Sequence, residues 1–426
     1  MTPNNQRENW VLICGLVRDR QLFNTKLEKL FQWQKEGLIS GIVYSTWIGE
    51  IDKYEGLRQQ LETAGVKTVE IQEPNLRLPG HLLHQMKTIY YGLEACPEHS
   101  YVLKIRPDLG SLGKNLTPIL SGEVDLKIDD SEGWPSIFQE RLVIMGGFVT
   151  APFYINDILF YGSKQDVKKL IHFDLRYEIL FSSTGPEQWF HAHPFIDTFQ
   201  IFGSYFPIAP GIFHNHPEKA ARYIDYFLSS PFLLKVFITY VLILSRYYRV
   251  GSSISSPNLV AKEMEIMKQI PYATLFKEDT NVPGILFQTG PNSVRFRGES
   301  WIYALLNRGF AEDEVGEKIQ AVLTEVKAWS FHQNWIANSL TPPPEVMQVA
   351  ADLEQIFSLK QNKIAKQLAT KGGERFILKG SNNRFQVVSN DAENKKLEQE
   401  ILRLRRHIVN LNETLQQKER EIQKFT

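Results

Sequence analysis

The chain has 426 residues, of which 43% are hydrophobic and 12% aromatic, a composition that supports a sizeable packed core and two or three structural units. Lysine plus arginine and aspartate plus glutamate both total 48, so the overall charge gives no reason to expect a nucleic-acid partner. Cys14 and Cys96 lack the spacing of metal ligands and are predicted to be buried thiols. The polar N-terminus lacks the pattern of a signal peptide, so we expect a cytoplasmic protein.

The N-terminal part of the chain alternates between short apolar runs and amphipathic segments. This alternation predicts an α/β fold with a mostly parallel sheet, right-handed crossovers and flanking helices. The predicted strands are 10–17, 42–47, 67–72 and the run that starts at Tyr101, and the predicted helices are 23–33, 54–64 and 81–94.

The alternation is weaker beyond Asp108. Residues 124–128, 142–149 and 157–161 are candidate strands, and residues 164–171 favour a short helix that would follow them. Longer helical patterns cover residues 220–248 and 311–368, the latter broken at 341–344. We therefore predict a catalytic domain over 1–218, a mainly helical accessory region over 219–385 and a tail over 386–426.

Residues 231–245 form the most apolar run of the chain. The run is too short to span a bilayer and contains Lys235, so it is predicted to be a buried helix. A second hypothesis is peripheral contact with the inner face of a membrane, because Arg246 and Arg249 follow the run.

The tail carries a heptad pattern with isoleucine mostly at the a positions and leucine at the d positions. This pattern favours a parallel two-stranded coiled coil and hence a homodimer, whereas a single amphipathic helix docked on the body is the alternative. The seam residues are Leu397, Ile401, Leu404, Ile408, Leu411, Leu415 and Ile422, with Lys418 at one seam position.

Several common nucleotide and hydrolase motifs are missing from the sequence. No G-x-G-x-x-G follows the first strand, which argues against a dinucleotide site. Neither a G-x-x-x-x-G-K-[ST] loop nor a G-x-S-x-G elbow occurs, which argues against P-loop enzymes and α/β-hydrolases.

Polar side chains follow the predicted strands and indicate a nucleotide-sugar site. Open α/β sheets bind ligands beyond the carboxyl ends of their strands. Arginine and lysine can neutralise a diphosphate, an aromatic ring can stack on a base, and a carboxylate can bind ribose or a divalent cation. The candidate donor-binding residues at these ends are Arg18, Asp19, Ser45, Thr46, Trp47, Arg106 and Asp108.

Five segments of the sequence resemble one known family. IVYSTW, the helix that contains Gln85 and ends in YYGL, YVLKIRPDL, DILFYGSKQDVKKL and GPEQW are similar to motifs of the WavE lipopolysaccharide-synthesis family, over about residues 11–206. The resemblance implies a GT-A-like glycosyltransferase. It maps an S-T-W motif onto Ser45, Thr46 and Trp47, a K-x-R-x-D motif onto Lys104, Arg106 and Asp108, and a P-E-Q motif onto Pro186, Glu187 and Gln188, and it adds Gln85 to the donor-binding set.

The sequence leaves metal dependence open. Many GT-A enzymes hold Mg²⁺ or Mn²⁺ with a D-x-D motif, but Arg106 stands where the first aspartate would be. One carboxylate, Asp108, holds a divalent cation poorly without further ligands. His191 and His193 would share one face if they lay in a strand, as would His214 and His216, but ordinary polar histidines are the favoured interpretation.

Glu187 is the first candidate for the catalytic base. An inverting transferase needs a carboxylate to accept the proton of the attacking acceptor hydroxyl. A helix N-terminal acid is the structural alternative for Glu187. Asp157 is the second candidate.

The sequence thus predicts a glycosyltransferase that uses a nucleotide-sugar donor and a glycan or lipid-linked glycan acceptor of a surface polysaccharide or lipopolysaccharide. The alternatives are a non-catalytic glycan- or protein-binding scaffold that oligomerises through its tail, and a sugar-nucleotide-modifying enzyme.

Overall fold

The structure is a computed structural model with two compact units, Met1–Leu359 and Lys360–Thr426. It describes residues 7–75, 81–108, 112, 116–128, 134–148, 151–171, 173, 186–209, 226, 229–251, 285–287, 294–296, 321–322, 324–329, 341–357, 378–381 and 384–387. The coiled coil predicted for the tail lies outside these described residues and stays a prediction.

Seven strands of the first unit form one mixed sheet. They are β1 (Asn9–Cys14), β2 (Gly41–Trp47), β3 (Lys67–Ile71), β4 (Tyr101–Ile105), β5 (Leu142–Ile144), β7 (Leu159–Ser163) and β8 (Tyr248–Val250). Their order across the sheet is β3-β2-β1-β4-β7-β5-β8. The first four strands along the chain run parallel, as do β5 and β8, whereas β7 is antiparallel to both of its neighbours. The predicted α/β class with a mostly parallel sheet is therefore confirmed.

Helices connect and flank these strands. They are α1 (Arg20–Lys35), α2 (Leu57–Thr63), α3 (Leu82–Glu94), α4 (Thr117–Leu120), α5 (Lys164–Lys169), α6 (Pro186–Ile196), α7 (Ile201–Tyr205), α8 (Pro231–Tyr247) and α9 (Pro344–Phe357). A 3₁₀ turn, Ile51–Lys53, precedes α2. Two further small sheets are formed by β6 (Gly147–Phe148), β9 (Ile285–Phe287) and β10 (Val294–Phe296), and, in the second unit, by β11 (Leu378–Ser381) and β12 (Arg384–Val387).

The sheet separates two apolar cores because successive side chains of a strand point to opposite faces. On β1, Leu12 belongs to the core that contains α3, α6 and α8, whereas Val11 and Ile13 belong to the core that contains α1 and α2. The near-continuous apolar runs of β1, β2 and β4 are what a sheet buried on both faces requires.

The apolar run predicted as a buried helix is α8. Ser230 caps its N-terminus by accepting a hydrogen bond from the backbone of Leu233. Phe232 and Val236 are among the side chains buried on several sides of this helix. The buried-helix prediction is confirmed, and none of the described helices combines the length and apolarity needed to cross a membrane.

The second half of the sheet differs from the prediction. Residues 124–128 form no strand, only an isolated bridge from Lys127 to Glu140. Residues 142–149 divide into β5 and β6 because Gly146 adopts a positive φ of 139° that ends the first strand. The catalytic domain was predicted to end at residue 218, but β8, which lies beyond that point, is part of the same sheet.

Candidate functional site

The four parallel strands β1 to β4 all end at one edge of the sheet, which we call the carboxyl edge. β2 and β3 lie on one side of β1 and β4 lies on the other, so the strand order changes direction between β1 and β4. Ligands of open α/β sheets bind at such a switch point. Residues 15–19 leave β1 here, residues 106–108 leave β4, and Asp157 precedes the antiparallel strand β7 at the same edge.

Asp108 is held at the switch point by two arginines. Arg106 Nε and Nη2 donate to the two carboxylate oxygens at 2.9 and 2.8 Å. Arg18 Nη1 lies 3.3 Å from Asp108 Oδ2. Burial raises the pKa of Asp108, but the hydrogen bonds and charge of Arg106, together with Arg18, outweigh it and leave the pKa below its ordinary value. Asp108 is therefore ionised at neutral pH and links the ends of β1 and β4.

Arg106 also contacts Asp157, the second candidate base. Its Nη1 lies 3.3 Å from Asp157 Oδ2, and the Asp157 residue is 4% exposed. Hydrogen bonds to Asp108 and the charges of both aspartates raise the pKa of Arg106, although burial opposes this. Asp157 is thus buried and already engaged, which makes it a weaker candidate for a base that must meet an acceptor hydroxyl.

Lys104 lies inside the core rather than at the carboxyl edge. Its Nζ donates to the backbone oxygen of Asp157 and lies 5.2 Å from the ring centroid of Phe160. Burial lowers the pKa of Lys104, and the charge of Asp157 partly offsets that shift. The side chain therefore fixes the start of β7 beside β4.

Lys26 is a residue of the site that the sequence analysis missed. It is buried in α1, and its Nζ donates to the backbone oxygens of Arg106, at 2.9 Å, and Pro107. Burial lowers its pKa to about 8, against the opposing charge of Asp108. The available signal was its spacing, since Lys26 falls on the apolar stripe of α1 between Phe23 and Leu30.

The loop after β1 is fixed by polar side chains from β2, from the segment that follows β2 and from the loop itself. Gly15 adopts a φ of +112°, which favours glycine, and its backbone oxygen accepts from Tyr44 Oη at 3.1 Å. The backbone nitrogen of Val17 donates to Glu50 Oε1 at 2.9 Å. Asp19 is the N-cap of α1, where its Oδ1 accepts from the backbone of Leu22. One carboxylate oxygen of Asp19, which was predicted to bind the nucleotide sugar, therefore caps the helix.

The other predicted donor-binding residues lie at β2 and α3. Ser45 and Thr46 are fully buried, and Trp47 is 6% exposed. The indole of Trp47 packs edge-on against His84, which lies beside Gln85 in the first turn of α3. Trp47 thus presents little surface on which a base could stack.

Two exposed apolar side chains lie beside these residues instead. Leu16 follows β1 and Ile48 follows β2, and they are 38% and 64% exposed. Because β1 and β2 are adjacent and parallel, both side chains belong to the carboxyl edge. Sequence analysis did not select them, since single exposed aliphatic residues are common.

Glu187, the first candidate base, lies in the first turn of α6, and its side chain is outside the described residues. The neighbouring Gln188 is buried and donates from Nε2 to the backbone oxygen of Pro152 at 2.9 Å. Pro152 belongs to the segment that connects β5 to β7, and the end of β5 and the start of β7 both lie at the carboxyl edge. The start of α6 is therefore tied to the segment that connects these two strands.

The described residues do not fit a divalent cation. They contain no group of three or more histidine, cysteine or acidic side chains able to hold one. Both oxygens of Asp108 accept from Arg106, and Asp157 is engaged by the same guanidinium. His191 and His193 lie in α6 and not in a strand, so they do not form the same-face pair.

His214 and His216 lie outside the described residues. Both cysteines are free and buried, as predicted, and burial raises each thiol pKa to about 12.

Comparison of the chain with protein-family models and with curated protein sequences gives no match.

Proposed function

We propose that this chain is a glycosyltransferase of the WavE type, with a GT-A-like fold, which moves a sugar from a nucleotide-sugar donor to a glycan or lipid-linked glycan. The observation that carries the proposal is the cluster of Arg18, Arg106 and Asp108 at the switch point between β1 and β4. Planar guanidinium groups bind phosphate oxygens in pairs, so this is where a diphosphate finds matching donors.

The remainder of the carboxyl edge supports the same donor. Leu16 and Ile48 offer exposed apolar surface for a nucleobase beside the arginines. The parallel strands β3, β2, β1 and β4 provide the nucleotide-binding half that a GT-A-like fold needs.

The acceptor side of the site is assigned to the start of α6. Glu187 is the proposed general base because its helix is tied, through Gln188 and Pro152, to the segment whose ends meet β5 and β7 at the carboxyl edge. Asp157 is already bound to Arg106 and is therefore second in line.

The test is a panel of nucleotide sugars scored by thermal shift and by release of the free nucleotide. A ligand that binds only the folded state stabilises it by RT ln(1 + [L]/Kd), so one donor class should raise the melting temperature above the others. The proposal predicts such a donor and its slow hydrolysis. If no nucleotide sugar produces a shift or releases nucleotide, the chain is not a glycosyltransferase of this kind.

Arg106→Lys and Arg58→Lys form a matched pair for this test. Arg58 binds Asp52 with the same fork, at 2.7 and 2.8 Å, but lies on α2, away from the switch point. We expect the donor-induced shift to be lost in Arg106→Lys and retained in Arg58→Lys.

A further inference from the structure

The carboxylate at the switch point is arranged for arginine and not for a metal ion. Both oxygens of Asp108 accept from Arg106, and Arg18 approaches one of them to 3.3 Å. A divalent cation needs several oxygen ligands, near-octahedral for Mg²⁺. At this point it would also lie beside two guanidinium charges, which repel it.

The second carboxylate of the cluster, Asp157, does not supply the further oxygen ligands that a divalent cation needs. Asp157 is 4% exposed, and its Oδ2 lies 3.3 Å from Arg106 Nη1. Its backbone oxygen already accepts from the Lys104 ammonium. Both aspartates are therefore already paired with the Arg106 guanidinium.

The arginines are better suited to a phosphate ligand. The Arg18 side chain is 66% exposed, and its contact with Asp108, at 3.3 Å, is longer than those of Arg106. Lys26 donates hydrogen bonds to the backbone oxygens of Arg106 and Pro107, so the backbone of the turn that carries Arg106 and Asp108 is held in place by α1. Arg18 can thus change its partner without disturbing the fold, whereas Arg106 has a fixed backbone from which to turn its guanidinium.

We propose that the diphosphate of the donor takes the place of the Asp108 carboxylate on Arg18 and Arg106, so that donor binding requires no divalent cation. This inference rests on the proposed function, since it concerns the diphosphate of the same donor. In the free protein Asp108 keeps the two guanidinium groups oriented, and it competes with the incoming phosphates for them.

The exchange gives Asp108 an effect opposite to that of a metal ligand. Asp108→Asn removes the competing negative charge but keeps the shape of the side chain, so we expect nucleoside diphosphates to bind as tightly as in the wild type, or more tightly. Arg18→Lys keeps the charge but loses the planar fork, and we expect its Kd to rise about tenfold, which corresponds to about 1.4 kcal/mol.

The experiment is isothermal titration of the full chain with uridine, guanosine, cytidine, thymidine and adenosine diphosphates, in EDTA and in excess MnCl₂. The inference predicts one binding nucleotide whose Kd changes less than about threefold, or less than about 0.7 kcal/mol, between the two buffers. Arg58→Lys is the control for a general effect of losing an arginine fork, and melting curves without nucleotide verify that each variant is folded.

The outcomes separate the inference from the proposed function. Nucleotide binding that appears only with Mn²⁺ overturns the exchange and leaves a metal-dependent transferase. Nucleotide binding that is lost in Asp108→Asn also overturns the exchange. Absence of nucleotide binding in both buffers overturns the proposed function itself. Because the Arg18 side chain lies largely at the surface, Arg18→Lys should fold, and its nucleotide Kd can be measured even if an Arg106 variant fails to fold.

Discussion

Arg106 connects more of the candidate site than any other described side chain of the carboxyl edge. Its guanidinium binds Asp108 and Asp157, and its backbone oxygen accepts from Lys26. The geometry of the site therefore depends on groups from β4, the start of β7 and α1 at once. A substitution of the buried Lys26 should therefore shift the position of the Asp108 carboxylate.

Lys26→Met tests this dependence. The variant leaves the backbone oxygens of Arg106 and Pro107 without their donor, and unsatisfied buried acceptors cost about 1–3 kcal/mol each. We expect a lower free energy of unfolding in urea and a weaker affinity for the nucleotide. Lys35→Met, at an exposed position of the same helix, should change stability by less than about 0.5 kcal/mol. Equal affinities in the two variants would show that Lys26 does not position the turn.

His191 should make the fold sensitive to acid. Burial, and next the charge of Lys104, lowers the pKa of His191 from 6.5 to about 3. Between these values the unfolded chain binds one more proton than the folded chain, so stability falls as the pH falls, by about 1.4 kcal/mol per pH unit.

Urea unfolding at pH 6.5 and pH 5 measures this effect. His191 should account for a loss of about 2 kcal/mol over that interval. His191→Gln should reduce the pH dependence by that amount, whereas the exposed control His99→Gln should retain it. An unchanged pH dependence in His191→Gln would mean that the imidazole is accessible to protons in the folded chain.

At the level of elements, the sequence predicts the first half of the sheet better than the second. β1, β2 and β4 are mostly apolar runs, and Gly15 follows β1 and Arg106 follows β4, which is a local signal. β7 is also a short, mostly apolar run. Its antiparallel pairing with β4 and β5, however, depends on strands that are distant in the sequence. No local pattern predicts that pairing.

The candidate site shows the same division. Arg18, Arg106 and Asp108 could be selected because each lies within a few residues of the end of an apolar strand. The burial of Trp47 could not, because it depends on the approach of His84 from α3. Lys104 was selected through the family resemblance, but its place within the core follows from the pleat of β4, which alternates its side chains between the two faces.

The helix α8 gives a prediction at this scale. Phe232 is 1% exposed and packs against Trp329, with the ring centroids 5.6 Å apart. Phe232→Asp would bury an unpaired charge, which costs several kcal/mol, so we expect loss of cooperative unfolding and poor recovery of folded protein. Ser229→Asp, at an exposed position just before the helix, should fold normally. A folded Phe232→Asp variant that had lost affinity for anionic liposomes would instead support an interfacial helix.

At the level of the whole molecule, the heptad seam of the tail predicts a dimer. Deleting the residues after 390 removes every predicted seam position from Leu397 to Ile422. Light scattering should show that the mass of the full chain is twice that of one chain, and that the truncated chain is a monomer. An identical oligomeric state before and after truncation would contradict the coiled coil. Nucleotide affinity should be unchanged, since the arginine cluster belongs to the first unit.

The central claim is that the switch point between β1 and β4 holds the diphosphate of a nucleotide sugar. The most direct test is a crystal structure of the full chain with the tightest-binding nucleoside diphosphate, grown in EDTA. The account predicts phosphate oxygens within hydrogen-bond distance of Arg18 and Arg106, with Asp108 displaced from Arg106 and the base against Leu16 and Ile48. A nucleotide bound elsewhere on the molecule would contradict the central claim, and a nucleotide at the switch point that leaves the Arg106–Asp108 pair intact would contradict the exchange.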